Sequence, residues 1–259
     1  MGVPAYGDPV ASLDGRRVVV TGASSGIGEA AARAAVAAGA RVGLVARRAE
    51  RLAGLADELG EAAAVGVADV TDAAALTDAV DRLAADLGGL DGVVAAAGTM
   101  HLGAIGATDP ERWREVFDVN VHGLLATARA ALPHLGEGAS WVTISSMSGR
   151  RVPSAAGGVY AASKHAAHAV DETLRREAGA RGVRVTTVAP GFVATDLMAG
   201  DLVADDGAGR EDVAAFRERM HAQGLTPEHV AAAVVHVLGL PPEVCVVEYA
   251  LTSTAQMRS

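Results

Sequence analysis

The chain has 259 residues, 50% hydrophobic and 20% charged, which is the composition of a folded globule and not of a disordered tail. Its 22 basic and 31 acidic residues give a net charge of −9, so the basic surface that nucleic acid or an anionic membrane attracts is not expected. The N-terminus lacks the basic start and apolar stretch of a signal peptide, and residues 231–240, the most continuously apolar later stretch, are too short to span a bilayer. Cys245 is the single cysteine, so no intramolecular disulfide or cysteine-cluster metal site is expected in what should be a cytoplasmic protein.

In chain order, the first apolar run, 17–21, leads into TGASSGIG at residues 21–28 and then a helix over 27–38. Glycines 22, 26 and 28 permit a tight turn in which Ser24, Ser25, Ile27 and their neighbours bring backbone amides up to a phosphate at a helix N-terminus. The run 41–46 ends in Arg47-Arg48 before a helix over 49–59. An NAD site would carry an acid there; a guanidinium can instead grip a 2′-phosphate, which assigns Arg47 to NADP, although two arginines also suit the start of a solvated helix. The run 64–68 is followed by Asp69-Val70, where Asp69 is placed either to accept from an adenine amino group or to cap the helix predicted over 73–87.

The run 92–96 continues into Ala97-Gly98, and a long helix is predicted over 111–135, holding Asn120. The run 141–145 ends at Ser146, and a helix over 158–180 carries Tyr160 and Lys164 on one face. The run 184–189 leads into Pro190, Gly191, Val193 and Thr195. Residues 191–225 form a connection long enough to be a substrate lid, with a small, acidic, flexible stretch at 200–210. A helix over 226–238 and a strand over 244–250 complete the pattern. Strands that are apolar throughout are buried on both faces. The expected fold is therefore α/β, a Rossmann-type doubly wound seven-stranded parallel sheet with helices on both faces. It forms a single domain over 1–259, with residues 1–14 as a flexible tail.

Residue scarcity sharpens the candidate chemistry. Of the 22 basic residues only Lys164 is lysine, Asn120 is the only asparagine, and alanine fills about a fifth of the chain. Such a bias drains Lys and Asn from neutral positions, so the survivors are expected where chemistry requires them. A free phenol titrates at about 10, and an ammonium one helical turn away lowers it by roughly 1–3 units toward what proton transfer needs. Asn120 needs its own reason to stand mid-helix.

These motifs, together with PGFVATD at residues 190–196, resemble the short-chain dehydrogenase/reductase family over nearly the whole chain, about residues 17–256. The resemblance implies that Tyr160 is the general acid–base and that Lys164 binds the nicotinamide ribose and lowers the Tyr160 pKa. Ser146 would hydrogen-bond the substrate oxygen, and Asn120 would hold a water in a proton relay. Pro190, Gly191, Val193 and Thr195 would contact the carboxamide and pyrophosphate, with Ala96, Ala97 and Gly98 lining the cofactor. The ending PPEVCVVEYALTSTAQ is similar to the NADP-preferring branch of carbonyl reductases. The cofactor implied is NADP(H), the partner a small carbonyl or alcohol substrate, and the assembly a homodimer or homotetramer.

Two departures stand out. Ala95-Ala96-Ala97-Gly98 replaces the family's asparagine-containing motif, which predicts looser packing or a shifted backbone at the end of the fourth strand. Ser146 and Tyr160 are one residue further apart than usual, so a residue is added within 150–159. Met100, Leu102, Met147, Val152, Phe192 and Met198 fall where an apolar substrate pocket is expected. His165 and His168 lack a third ligand for a metal. Cys245 is expected to be buried in the last strand. The rival readings are a non-redox dehydratase, isomerase or cyclase using Tyr160 alone, and a nucleotide-sensing regulator.

Overall fold

Neighbouring apolar residues of each central strand belong to different cores, which is why these strands need apolar side chains on both faces. The computed structural model describes residues 12–195 and 210–258. Its strands are β1 (Arg17–Thr21), β2 (Arg41–Ala46), β3 (Ala63–Val67), β4 (Leu90–Ala95), β5 (Leu135–Ile144), β6 (Arg184–Pro190) and β7 (Glu248–Leu251). They form one sheet in the order β3-β2-β1-β4-β5-β6-β7, every adjacent pair parallel. The helices are α1 (Gly26–Ala37), α2 (Ala49–Leu59), α3 (Ala73–Leu87), α4 (Pro110–Phe117), α5 (Gly123–Ala131), α6 (Gly158–Gly179), α7 (Arg210–Gln223) and α8 (Pro227–Leu238).

On one face Val18, Val20, Leu44, Val142 and Val188 pack with α1, α2 and α8 through Ala31, Ala35, Leu52 and Val234. On the other, Val19, Val45, Val93, Trp141 and Val185 pack with α3, α5 and α6 through Leu83, Ala128, Ala167 and Leu174. Each fully buried aliphatic side chain contributes roughly 1.5–3 kcal/mol, so a polar substitution on either face of β1 is costly. This is the expected doubly wound single domain. Among the described residues no helix is long and apolar enough to cross a membrane.

Several boundaries differ from the expectation. Leu13, within the segment expected to be a flexible tail, is fully buried and its N–H donates to Ala38 O at 2.7 Å; residues 1–11 lie outside the described residues. The single helix expected over 111–135 is α4, a π-helical turn at Asp118–His122, and α5. The wide turn lets the Asn120 side chain serve a neighbouring loop without breaking the helical path. β5 begins earlier than expected, and β7 is confined to Glu248–Leu251, which leaves Cys245 exposed ahead of it, with Sγ 3.6 Å from Val185 O. The long connection contains α7, concealed by its polar sequence; its acidic stretch at 200–209 lies outside the described residues.

Ala95 pairs in register with Thr21 and with Thr143, so the backbone at the end of β4 is not shifted. The looser packing takes the form of a small void lined by Thr21, Ala95, Asn120, Thr143 and Lys164. Thr21 Oγ1 is buried beside it without a partner. Thr21→Val replaces that hydroxyl with a methyl group and is expected to stabilise the protein by about 1 kcal/mol. That corresponds to a rise in Tm of about 2–4 °C in thermal unfolding; a fall would mean that solvent in the void serves the hydroxyl.

Candidate active site

The C-terminal ends of β1, β4, β5 and β6 open on one edge of the sheet, where order reverses between β1 and β4 and a ligand crevice is expected. A cleft of 370 Å³ lies there. Gly22 and Gly26 adopt positive φ, +70° and +56°. A Cβ at Gly22 would stand 2.7 Å from Ala97 N, and one at Gly28 would collide with the carbonyl of Gly22. Only glycine at both positions lets the turn close against Ala96 and Ala97. Ser24, Ser25, Ile27 and the α1 N-terminus form the floor of the cleft.

The two arginines after β2 have different roles. Arg47 is 71% exposed, and among the described residues it approaches Asp69, with Nη1 to Oδ2 at 3.5 Å. Arg48, which the sequence reading did not select, donates to Ser24 Oγ from Nε at 3.0 Å and to Ser25 Oγ from Nη2 at 2.7 Å. It ties the start of α2 to the glycine turn. Asp69 accepts from the Thr71 amide and hydroxyl, at 2.9 and 2.8 Å. Burial would raise its carboxyl pKa, but the bonds from Thr71 and the nearby Arg47 outweigh that and hold it below the usual range. The helix cap is Asp72, whose side chain accepts from Ala74 and Ala75 N–H, so Asp69 remains at the cleft. Val70, Gly98, Pro190, Gly191, Val193 and Thr195 also line it, as expected.

Ser146 follows β5 and accepts from Ser148 N–H at 3.0 Å, while Tyr160 and Lys164 project from the first turns of α6. All three border the cleft. Burial pushes the Tyr160 phenol up to about 12, with the hydrogen bond to Ser146 acting in the opposite direction. This corrects the expectation of a lowered phenol: Lys164 Nζ lies 5.8 Å from the ring centroid and donates instead to Ile144 O at 3.1 Å. Burial brings the ammonium down to about 8, partly offset by the charge of Asp171.

Asn120 stands behind the cleft rather than in it. Its Nδ2 donates to Thr99 O at 2.9 Å and Ser163 Oγ at 3.0 Å, and its Oδ1 accepts from Thr99 N–H at 2.8 Å. It therefore locks the loop after β4 to α6, next to the void it shares with Lys164.

The substrate end is apolar, with Met100, Leu102 and Met220 packed beside Tyr160, Phe192 and Phe216. Phe192 and Phe216 meet edge to face, centroids 5.4 Å apart. Phe216 and Met220 come from α7 and were missed with it. Val152 is 60% exposed and, with Met147, lies away from the lining; Met198 is outside the described residues. His165 Nδ1 is bonded to Ala161 O, and among the described residues no group of three His, Cys, Asp or Glu side chains is arranged for a metal.

A glycine turn opening α1 at the switch point and a Ser–Tyr–Lys set at the edge of β5 define a dinucleotide-dependent class of protein. Residues 16–205 match the short chain dehydrogenase family. The chain is 37% identical over 93% of its length to the glycine betaine reductase of Emericella nidulans, but spans only 19% of that protein. It is 43% identical to an uncharacterized oxidoreductase of Mycobacterium tuberculosis, covering 86% of this chain and 84% of the relative. Among solved structures, a short chain dehydrogenase from Burkholderia cenocepacia in complex with NADP superposes with a TM-score of 0.80 at 35% identity, over 94% of this chain and 99% of that one. The chain belongs to the short-chain dehydrogenase family, a family of oxidoreductases.

Asn120→Ala would leave the Thr99 amide and carbonyl without their buried partner, at a cost of about 2 kcal/mol. Tm should fall by about 4–8 °C; an unchanged Tm would show that solvent replaces the amide.

Proposed function

We propose that the protein is an NADP(H)-dependent oxidoreductase acting on the carbonyl or alcohol group of a small apolar or amphipathic substrate. The supporting observation is one cleft that joins a glycine turn flanked by two arginines to buried Ser146 and Lys164 and half-buried Tyr160 beneath an apolar wall. The turn that Gly22 and Gly28 allow to close leaves the α1 N-terminus at the floor of the cleft, which suits a pyrophosphate, and no acid stands directly after β2 to repel a 2′-phosphate. The Burkholderia neighbour's complex with NADP supports the same cofactor. Arg47 and Arg48 would hold the 2′-phosphate side, Asp69 and Val70 the adenine side, and residues 190–195 the nicotinamide side.

When bound, the nicotinamide supplies or accepts a hydride. Tyr160, kept protonated at neutral pH by burial, donates its proton to the oxygen that forms as a carbonyl is reduced. Ser146 hydrogen-bonds that oxygen, and the Lys164 ammonium, 5.8 Å from the centroid of the phenol ring, would steady the phenolate left after the transfer. Asn120 holds the loop and helix between which the proton is replaced. The walls from Met100, Leu102, Phe192, Phe216 and Met220 exclude water and favour a hydrocarbon body. A homodimer or homotetramer across α5 and α6 belongs to this reading, supported by Leu125, a large apolar side chain 46% exposed on α5.

Fluorescence titration of the purified protein should show tighter binding of NADPH than of NADH, with Arg47→Ala removing the difference. Equal affinities in the wild type would overturn the NADP assignment, and failure of both to bind would overturn the redox assignment. Tyr160→Phe should spare NADPH binding and lower turnover by about 10²–10⁴-fold. Because the Lys164 pKa lies below its ordinary value, its charge is present below about 8 and is lost as pH rises through that value. Carbonyl reduction should therefore fall over the same range in a pH–rate profile.

A further inference from the structure

Asp171 is a fully buried carboxylate on α6 that the chemistry above leaves unused. It lies seven residues beyond Lys164, close to two helical turns, so both side chains emerge on the face packed against the sheet. Thr143 Oγ1 of β5 donates to its Oδ1 at 2.6 Å, and Thr187 Oγ1 of β6 donates to its Oδ2 at 2.6 Å. The Thr143 hydroxyl accepts from Trp141 Nε1 at 2.8 Å, which leaves its proton for the carboxylate. Lys164 Nζ is bonded to the carbonyl of Ile144, the residue after Thr143. Anion and cation are thus anchored on consecutive residues of one strand.

Few other charged groups surround this pair. On α6, Arg175 also attracts Asp171, and His168 and Tyr160 accompany Lys164. From β5 and β6 come hydroxyls, an indole and a carbonyl oxygen, and from the π-helical turn the neutral Asn120. A staple between helix and sheet needs only a neutral acceptor, and an ionised carboxylate in its place costs several kcal/mol of desolvation unless a cation is near. Burial raises the Asp171 carboxyl to about 6, while its two hydroxyl donors, Arg175 and Lys164 favour the ionised form.

We propose that Asp171 is a positioning residue for proton transfer, a fixed negative charge in the core that keeps Lys164 charged and held at the end of β5 beside Tyr160. The proposal rests on the reading that Lys164 serves Tyr160. The test uses a property of this chain: Lys164 is its only lysine, so a single ¹⁵N-lysine label reports that ammonium alone. In Asp171→Asn the Lys164 signal should titrate about one pH unit lower than in the wild type, a tenfold loss of charge at a fixed alkaline pH. The alkaline limb of the pH–rate profile should move with it. Thr187→Val, which removes a staple but keeps the charge, should leave the Lys164 titration in place. If Asp171→Asn does not fold, the reciprocal measurement applies: Lys164→Met should raise the titration of the ¹³C-labelled Asp171 carboxyl. An unmoved titration of Lys164 in Asp171→Asn, or of Asp171 in Lys164→Met, would overturn the proposal and leave Asp171 as a staple. The titration needs neither substrate nor cofactor. A shifted signal in a protein that reduces no carbonyl would therefore overturn the redox reading and not the coupling.

Discussion

An ammonium withdrawn from water costs several kcal/mol unless the protein supplies an acceptor or a counter-charge, and Lys164, 6% exposed, receives both. The acceptor is the last carbonyl of β5, that of Ile144. The counter-charge comes from the same helix two turns away. Both depend on α6 lying against β5 and β6 in one register, which in turn requires the small residues Ala161, Ala167 and Ala178 on its buried face. Packing on this side of the sheet therefore sets the electrostatics of the site.

The architecture was legible because its signals are local. β1 and β2 each carry an apolar run behind a leading arginine, and adjacent residues of those runs find different cores. The glycine turn could be located because a Cβ at residue 22 or 28 has no space. The scarcity of Lys and Asn pointed to Lys164 and Asn120, both of which the structure buries beside one void. Less was visible where the cause is distant. A period of 3.6 does not reveal the π-helical turn at Asp118–His122, because the side chain that exploits it bonds to Thr99, 21 residues back. Asp171 looks like a solvated helix charge, since its partners are 28 and 16 residues away. Arg48 was passed over for Arg47 because nothing in the dipeptide says which guanidinium turns back to Ser24 and Ser25. The direction of the Tyr160 shift was missed for the same reason: burial, invisible in a spacing of four residues, pushes the phenol up.

The cleft divides its chemistry by strand. The ends of β2 and β3 bring Arg47, Arg48 and Asp69 to one side, where exposed charges can adjust to a charged ligand. The loops after β4 and β6, with α7, bring methionine and phenylalanine to the other. Thioether and aromatic side chains tolerate varied shapes, so this wall selects for apolar bulk more than for one outline. Gln256 anchors the apolar side: its Oε1 accepts from Phe192 N–H at 3.0 Å and Thr252 Oγ1 at 2.6 Å, holding the loop that carries both Gly191 and Phe192.

The segment between Ser146 and Tyr160, expected from the sequence to hold one added residue, is fixed at both ends and exposed in the middle. The loop is fixed at its start, where Met147–Gly149 form a tight turn and Ser146 Oγ accepts from Ser148 N–H. Gly149 lies so close to His168 and the Lys164 carbonyl that no side chain fits there, and the Arg150–Glu248 pair at 3.0 Å ties the next residue to β7. At its other end, Ala156 packs with the apolar wall and its carbonyl accepts from Gly103 N–H at 2.9 Å. The slack is left to residues 151–155, exposed at the mouth of the cleft. Length can vary there without altering the distance from Ser146 to Tyr160, because that distance is set by β5 and α6. Variation at the mouth reaches the cleft through Pro153 and Ser154, which line it, while Ser146, Tyr160 and Lys164 stay where β5 and α6 hold them.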